Sequence, residues 1–125
     1  MEFNSILIGS GDPAKLIEYY TKLFGKPAFV DDTYAGWRFG SGLVNVGPHS
    51  EVSGKNAQPG RFLWNLETPD VRGEFAKLKA AGAIVIREPY EMDGYPDFSI
   101  ATLADPDDNY FQLMSPMSPD MGASS

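Results

Sequence analysis

A chain of 125 residues, 42% hydrophobic and 13% aromatic, is long enough to bury one core and too apolar to be disordered over most of its length. Ten Lys and Arg against seventeen Asp and Glu, a net charge of −7 with no basic cluster, argue against nucleic acid and favour a cationic or neutral small ligand. No run approaches the roughly 20 apolar residues of a membrane span, and the absence of cysteine excludes disulfides, thiolate catalysis and thiolate metal sites.

The opening Met1-Glu2-Phe3-Asn4 has no basic and apolar leader pattern, so no secretory signal and a cytoplasmic location are expected. Residues 3–8 form a short apolar run that reads as a strand. Asp12 then stands at an N-cap with Pro13 at the first helical position, where a missing N–H costs nothing. Leu16, Tyr20, Leu23 and Phe24 make the apolar stripe of that helix, and Gly25 ends it. Three strands are expected at 28–32, 34–39 and 43–46, separated by Asp-Thr and Gly-Ser-Gly punctuation. Residues 49–60 lack periodicity and are rich in breakers, which predicts a linker or mobile loop.

After the linker the order begins again. A strand at 62–67 leads to Thr68-Pro69 as the cap of a second helix, with Val71, Phe75 and Leu78 as its stripe and Ala81-Gly82 at its end. Strands follow at 83–87, 98–104 and 110–114. Between the first two lies a Pro-, Gly- and acid-rich stretch, 88–97, expected to be a loop. The tail, 117–125, is expected to be disordered. Asp12-Pro13 and Thr68-Pro69 lie 56 residues apart, and the helix-ending Gly25 and Gly82 lie 57 apart. The chain therefore reads as an internal repeat of two βαβββ modules, an α+β fold. Module one covers 1–48 and module two 61–116, within a single domain spanning 1–116.

The stretch Asp105-Pro106-Asp107-Asp108-Asn109 predicts a tight turn between the last two strands. Proline pre-sets the turn, and Asp or Asn tolerates left-handed backbone. This turn, with Gly11-Asp12-Pro13…Leu23-Phe24-Gly25 and Thr68-Pro69-Asp70-Val71…Ala81-Gly82, resembles the vicinal oxygen chelate superfamily. That superfamily includes glyoxalase I, bleomycin resistance proteins and extradiol dioxygenases. The resemblance covers roughly residues 3–116. It implies mostly antiparallel U-shaped sheets around a cleft (the glyoxalase/bleomycin resistance fold) and a homodimer.

In metal-dependent members of that superfamily, ligands come from the first, fifth and last strands. Carried over, these positions fall on Ser5, Leu63 and Gln112. Leucine cannot ligate a metal, serine is a poor ligand, and glutamine offers only a neutral amide oxygen. The only histidine, His49, heads the linker. No metal and no other cofactor are therefore expected. The resemblance then implies a metal-free protein that binds an antibiotic or other drug-like small molecule. The alternative is a metal-dependent glyoxalase- or dioxygenase-like enzyme, lyase or oxidoreductase, with a different ligand set.

No other motif competes with this reading. There is no G-x-S-x-G, and Gly40-Ser41-Gly42 is too short for a phosphate loop. Glu91, Asp93 and Asp97 in the 88–97 stretch would make either a solvated loop or an acidic lid over a cationic ligand. Ser5, Asn45, Asn65 and Gln112 are the expected neutral polar contacts, with Trp37 and Tyr95 as stacking platforms for a flat ligand.

Overall fold

The computed structural model describes residues 1–117, so the expected disordered tail lies outside the described residues from 118 on. Backbone contacts divide the chain into two compact units. The first is Met1–Gln58 with the turn Asp105–Asn109, and the second is Pro59–Ala104 with the chain from Tyr110 onward. The fold is α+β: two four-stranded sheets, each with one helix.

In the first unit, β1 (Ser5–Ser10), α1 (Pro13–Phe24), β2 (Phe29–Asp31), β3 (Tyr34–Phe39) and β4 (Gly42–Pro48) follow the predicted order. The sheet order is β1-β4-β3-β2, with β1 parallel to β4 and the other pairs antiparallel. Asp12 caps α1, its carboxylate accepting from the Lys15 N–H at 3.4 Å, and Pro13 opens the helix. Leu16 and Tyr20 are buried, while Leu23 and Phe24 are half-buried. Phe24 stacks on Tyr20 and meets the edge of Phe39. Gly25 leaves the helix at φ 84°, where a side chain would be strained. The core beneath α1 is Ile8, Ala35, Trp37, Val44 and Val46, the alternate residues of β1, β3 and β4.

In the second unit, β5 (Trp64–Glu67), α2 (Val71–Ala80), β6 (Ile84–Met92), β7 (Tyr95–Ala104) and β8 (Tyr110–Met114) repeat the plan, with sheet order β5-β8-β7-β6. A short 3-10 turn, Pro59–Arg61, precedes β5. Val71, Phe75 and Leu78 are buried as their spacing predicts, with Ala101, Leu103, Phe111 and Leu113 filling the helix-facing side of the sheet. Trp64 lies flat on Phe111, ring centroids 4.7 Å apart.

Two expectations are corrected. Asp70, not Thr68-Pro69, caps α2: its carboxylate accepts from the Gly73 N–H at 3.0 Å, while the Thr68 hydroxyl accepts from the Asp70 N–H one step earlier. Both residues are good caps, and a helix starts at the one whose side chain reaches the N3 amide. Residues 88–97, expected as a loop, instead form a β6–β7 hairpin closed at Asp93-Gly94, with Gly94 at φ 83°. An Asp-Gly pair favours that tight turn. Pro89 is tolerated because β6 is an edge strand and its pairing slips at that point.

Candidate functional site

The turn Asp105–Asn109 forms as predicted, and Asp108 takes the left-handed conformation at φ 62°. The Asp108 N–H donates to the Asp105 carbonyl, and the Asp105 N–H to the Asn109 carbonyl. Asp105 is fully buried. One carboxylate oxygen accepts from the Asp107 and Asn109 N–H groups at 2.9 and 3.0 Å; the other accepts from the Tyr20 hydroxyl at 2.7 Å. Burial pushes the Asp105 carboxyl above the usual carboxylate range, and the hydrogen bonds from Tyr20, Asn109 and Asp107 oppose that shift. Burial, and then the neighbouring Asp105 carboxylate, hold the Tyr20 hydroxyl well above the usual phenol range. Ser10 at the end of β1 donates to Asp107 at 2.7 Å and accepts from the Asp12 N–H. The Asn56 N–H donates to the Asp107 carbonyl, and its side-chain amide donates to Asn109. This network ties the helix start and the linker to the turn, and every member serves the frame.

The sheet faces turned away from the helices carry the candidate binding groups. In the first unit, register places Ser5 beside Leu43 and Leu7 beside Asn45, with Asn45 opposite Gly36 and Gly36 opposite Phe29. Two glycines shape this face. A methyl group on Gly36 would collide with Asn45 Oδ1 and the Phe29 ring, and one on Gly47 would collide with the Tyr34 ring. Phe29 and Tyr34 thus lie down over glycines, each 39% exposed, and Leu7 beside them is 51% exposed. Asn45 Oδ1 is buried with no hydrogen-bond partner. Such an atom costs about 1–3 kcal/mol unless something satisfies it.

Trp37 is not on this face, which corrects the expected stacking role. It is 3% exposed, packs on Tyr20 with ring centroids 5.9 Å apart, and donates from its indole N–H to the Gly25 carbonyl at 2.9 Å. Strand alternation separates it from Tyr34: Trp37 shares a face with Ala35, Tyr34 with Gly36. Phe29 and Tyr34 are the exposed rings. The available signal was the parity of Tyr34 and Gly36, together with the glycine that a covering ring requires.

In the second unit, Asn65 pairs in register with Gln112, and Gln112 with Thr102. Gln112 Nε2 donates to the Thr102 hydroxyl at 3.1 Å, which leaves the amide oxygen of Gln112 as an acceptor. Asn65 is exposed and Gln112 half-buried. Glu67 is exposed one row further along the same face, in register with Met114. Tyr95 is exposed at the hairpin tip, in register with Met92 and apart from the Asn65–Gln112–Thr102 row.

The donor set does not suit a catalytic divalent metal. Leu63, just ahead of β5, is exposed and carries no donor atom. His49 follows β4 and uses its Nδ1 to accept the Glu51 N–H. Among the described residues no three His, Cys, Asp or Glu side chains converge. What the two helix-free faces offer is hydroxyl and amide groups beside flat aromatic surface, suited to hydrogen bonding and stacking on an organic molecule.

Residues 5–114 match the family model described as a glyoxalase-like domain. A glyoxalase-related enzyme from Fulvimarina pelagi is similar in structure, with a TM-score of 0.72 at 17% identity, over 96% of this chain and 94% of that one. A glyoxalase/bleomycin resistance protein/dioxygenase family enzyme from Burkholderia phytofirmans gives 0.68 at 23% identity, over 90% and 97%. A glyoxalase/bleomycin resistance protein/dioxygenase from Nocardioides gives 0.70 at 12% identity, over 95% and 85%. At these identities the likeness is one of fold. No curated protein matches the chain at a significant level.

Proposed function

The chain belongs to the glyoxalase-like domain family, and we propose that within it this protein is a small-molecule binder that works without a catalytic metal. Its ligand is a flat organic molecule of drug-like size, an antibiotic being one such class. Ser5 and Asn45 are the polar contacts proposed on the first unit's sheet face, and Asn65 and Gln112 those proposed on the second's. Phe29 and Tyr34 provide the stacking surface in place of Trp37.

One observation carries the reading: the buried, unpartnered Asn45 Oδ1, set beside the exposed rings of Phe29 and Tyr34 on a helix-free sheet face. Buried polar atoms are nearly always satisfied, and a ligand that donates an N–H or O–H there would remove the penalty. Neutral amides at Asn65 and Gln112 support the same chemistry. No helix among the described residues is long and apolar enough to cross a membrane. By resemblance to single-domain relatives, the working form is a homodimer.

The test is a thermal-shift screen of flat, drug-like compounds, followed by calorimetry on hits with wild type, Asn45→Ala and Gln112→Ala. Elemental analysis of protein purified without an affinity tag accompanies it. Saturable binding weakened by either substitution supports the reading. Stoichiometric metal that disappears on Gln112→Ala overturns it in favour of a metal-dependent lyase or dioxygenase. A screen without hits moves the assignment to a module whose sheet faces no longer bind anything.

A further inference from the structure

The β6 edge of the second sheet carries an Arg87–Tyr90 pair that strand alternation from the sequence would not bring together. Residues three apart on a regular strand point to opposite faces. Between Val85 and Tyr90 β6 slips register twice: Ile84 lies opposite Ala104, Arg87 opposite Thr102 and Tyr90 opposite Ile100. Ala104, Thr102 and Ile100 alternate along β7 and share a face, so their partners Ile84, Arg87 and Tyr90 share it too. Each slip adds a residue to β6, which is how a bulge re-aims a side chain. The second slip falls at Glu88-Pro89, where proline cannot donate to the ladder.

The consequence is chemical. The Arg87 guanidinium carbon sits 3.4 Å from the centre of the Tyr90 ring. Arg87 is exposed, Tyr90 half-buried, and the guanidinium makes no salt bridge among the described residues. Stacking on a ring fixes the plane of the guanidinium and leaves its N–H edge free, the geometry that receives a carboxylate in a bidentate fashion. Register then continues the row across the sheet: Arg87, Thr102, Gln112, Asn65. With strands about 4.8 Å apart, two strand spacings, about 10 Å, separate the Arg87 and Gln112 backbones along this row.

We propose that this row is a binding site for a planar organic acid, with Arg87 taking its carboxylate and Gln112 and Asn65 taking an amide or hydroxyl at its far end. The site rests on the binder reading and narrows it. Net charge alone favours a cationic or neutral ligand, whereas the Arg87 guanidinium stacked on Tyr90 selects an anionic group. Arg87 is then the specificity-determining residue, and Tyr90 is the positioning residue that holds it.

The experiment compares 4-acetamidobenzoate with its neutral carboxamide, 4-acetamidobenzamide, by NMR titration of the ¹⁵N-labelled full chain. The proteins are wild type, Arg87→Gln, Arg87→Lys and Gln112→Ala. The expected result is saturable binding of the acid that shifts the Arg87 Nε–H and the Gln112 side-chain amide. Binding should weaken at least tenfold in Arg87→Gln, and several-fold in Arg87→Lys, which keeps the charge and loses the fork. The neutral amide should bind more weakly to wild type and be indifferent to both Arg87 variants. Because Arg87 is exposed, its variants should keep the wild-type amide spectrum, which separates lost binding from lost folding. Equal affinity for acid and amide, no change on Arg87→Gln, or no binding of the acid overturns the proposal. If the amide still binds in a Gln112-dependent way, the binder reading survives without it.

Discussion

Removing a single oxygen atom, in Tyr20→Phe, probes the buried frame on which both helix start and turn depend. The Tyr20 hydroxyl donates to Asp105 at 2.7 Å, and neither side chain is more than 1% exposed. Phenylalanine fills nearly the same volume, so almost no cavity opens and the cost is the lost hydrogen bond to a buried carboxyl. Bonds to charged groups contribute about 1.5–3 kcal/mol. The remaining partner of that oxygen, the Asn109 side-chain amide at 3.0 Å, cannot replace it. The expected loss is therefore about 2–3 kcal/mol, a fall in Tm of roughly 10 °C for a chain of this size. Urea denaturation should show a lower midpoint with an unchanged m-value. In an Asp105→Asn background, where no charge awaits the hydroxyl, the same substitution should cost less than about 1 kcal/mol. A Tyr20→Phe protein within about 0.5 kcal/mol of wild type would refute the account of this pair.

Other outcomes follow from the same structure. Folding raises the Tyr20 pKa, so its contribution is complete below about pH 10 and is lost as pH climbs through the raised folded value. The stability gap between wild type and Tyr20→Phe should accordingly narrow above pH 10 in denaturant melts. Gly47→Ala should cost about 1–3 kcal/mol by forcing the Tyr34 ring aside, and much of that cost should vanish in a Tyr34→Ala background. Asp70→Ala should cost about 1 kcal/mol by removing the α2 cap, whereas Thr68→Ala should cost less, since its hydroxyl holds only the Asp70 amide. Trp37→Phe should lose about 1 kcal/mol of stability with its bond to the Gly25 carbonyl, and leave ligand binding unchanged.

What could be read from the chain was local. The cap at Asp12, the stop at Gly25, the stripes of both helices and the left-handed Asp108 each depend on residues within a few positions, and each appears as expected. The Asp105 turn pointed to the fold, but its burial did not show in the sequence, because its partner Tyr20 lies 85 residues away. Faces were harder than elements. Trp37 and Tyr34 sit on one strand three residues apart, and only the strand's phase decides which ring is covered by α1. On β6 even the phase fails, since the register slip between them puts Arg87 and Tyr90 on one side. The hairpin at Asp93-Gly94 was hidden for a related reason: Pro89, Gly94 and Pro96 read as breakers, yet β6 is an edge strand, which tolerates proline.

The claim that this glyoxalase-like protein binds an organic ligand without a catalytic metal is tested most directly by titrating the ¹⁵N-labelled protein with Mn²⁺. The side-chain amides of Asn45, Asn65 and Gln112 are the reporters, because a paramagnetic ion held on their sheet faces would broaden them selectively. The account predicts that stoichiometric Mn²⁺ leaves all three signals sharp, while a ligand found by screening shifts those of the face it occupies. Broadening of Asn65 and Gln112 that saturates at one equivalent and reverses with a chelator would contradict it.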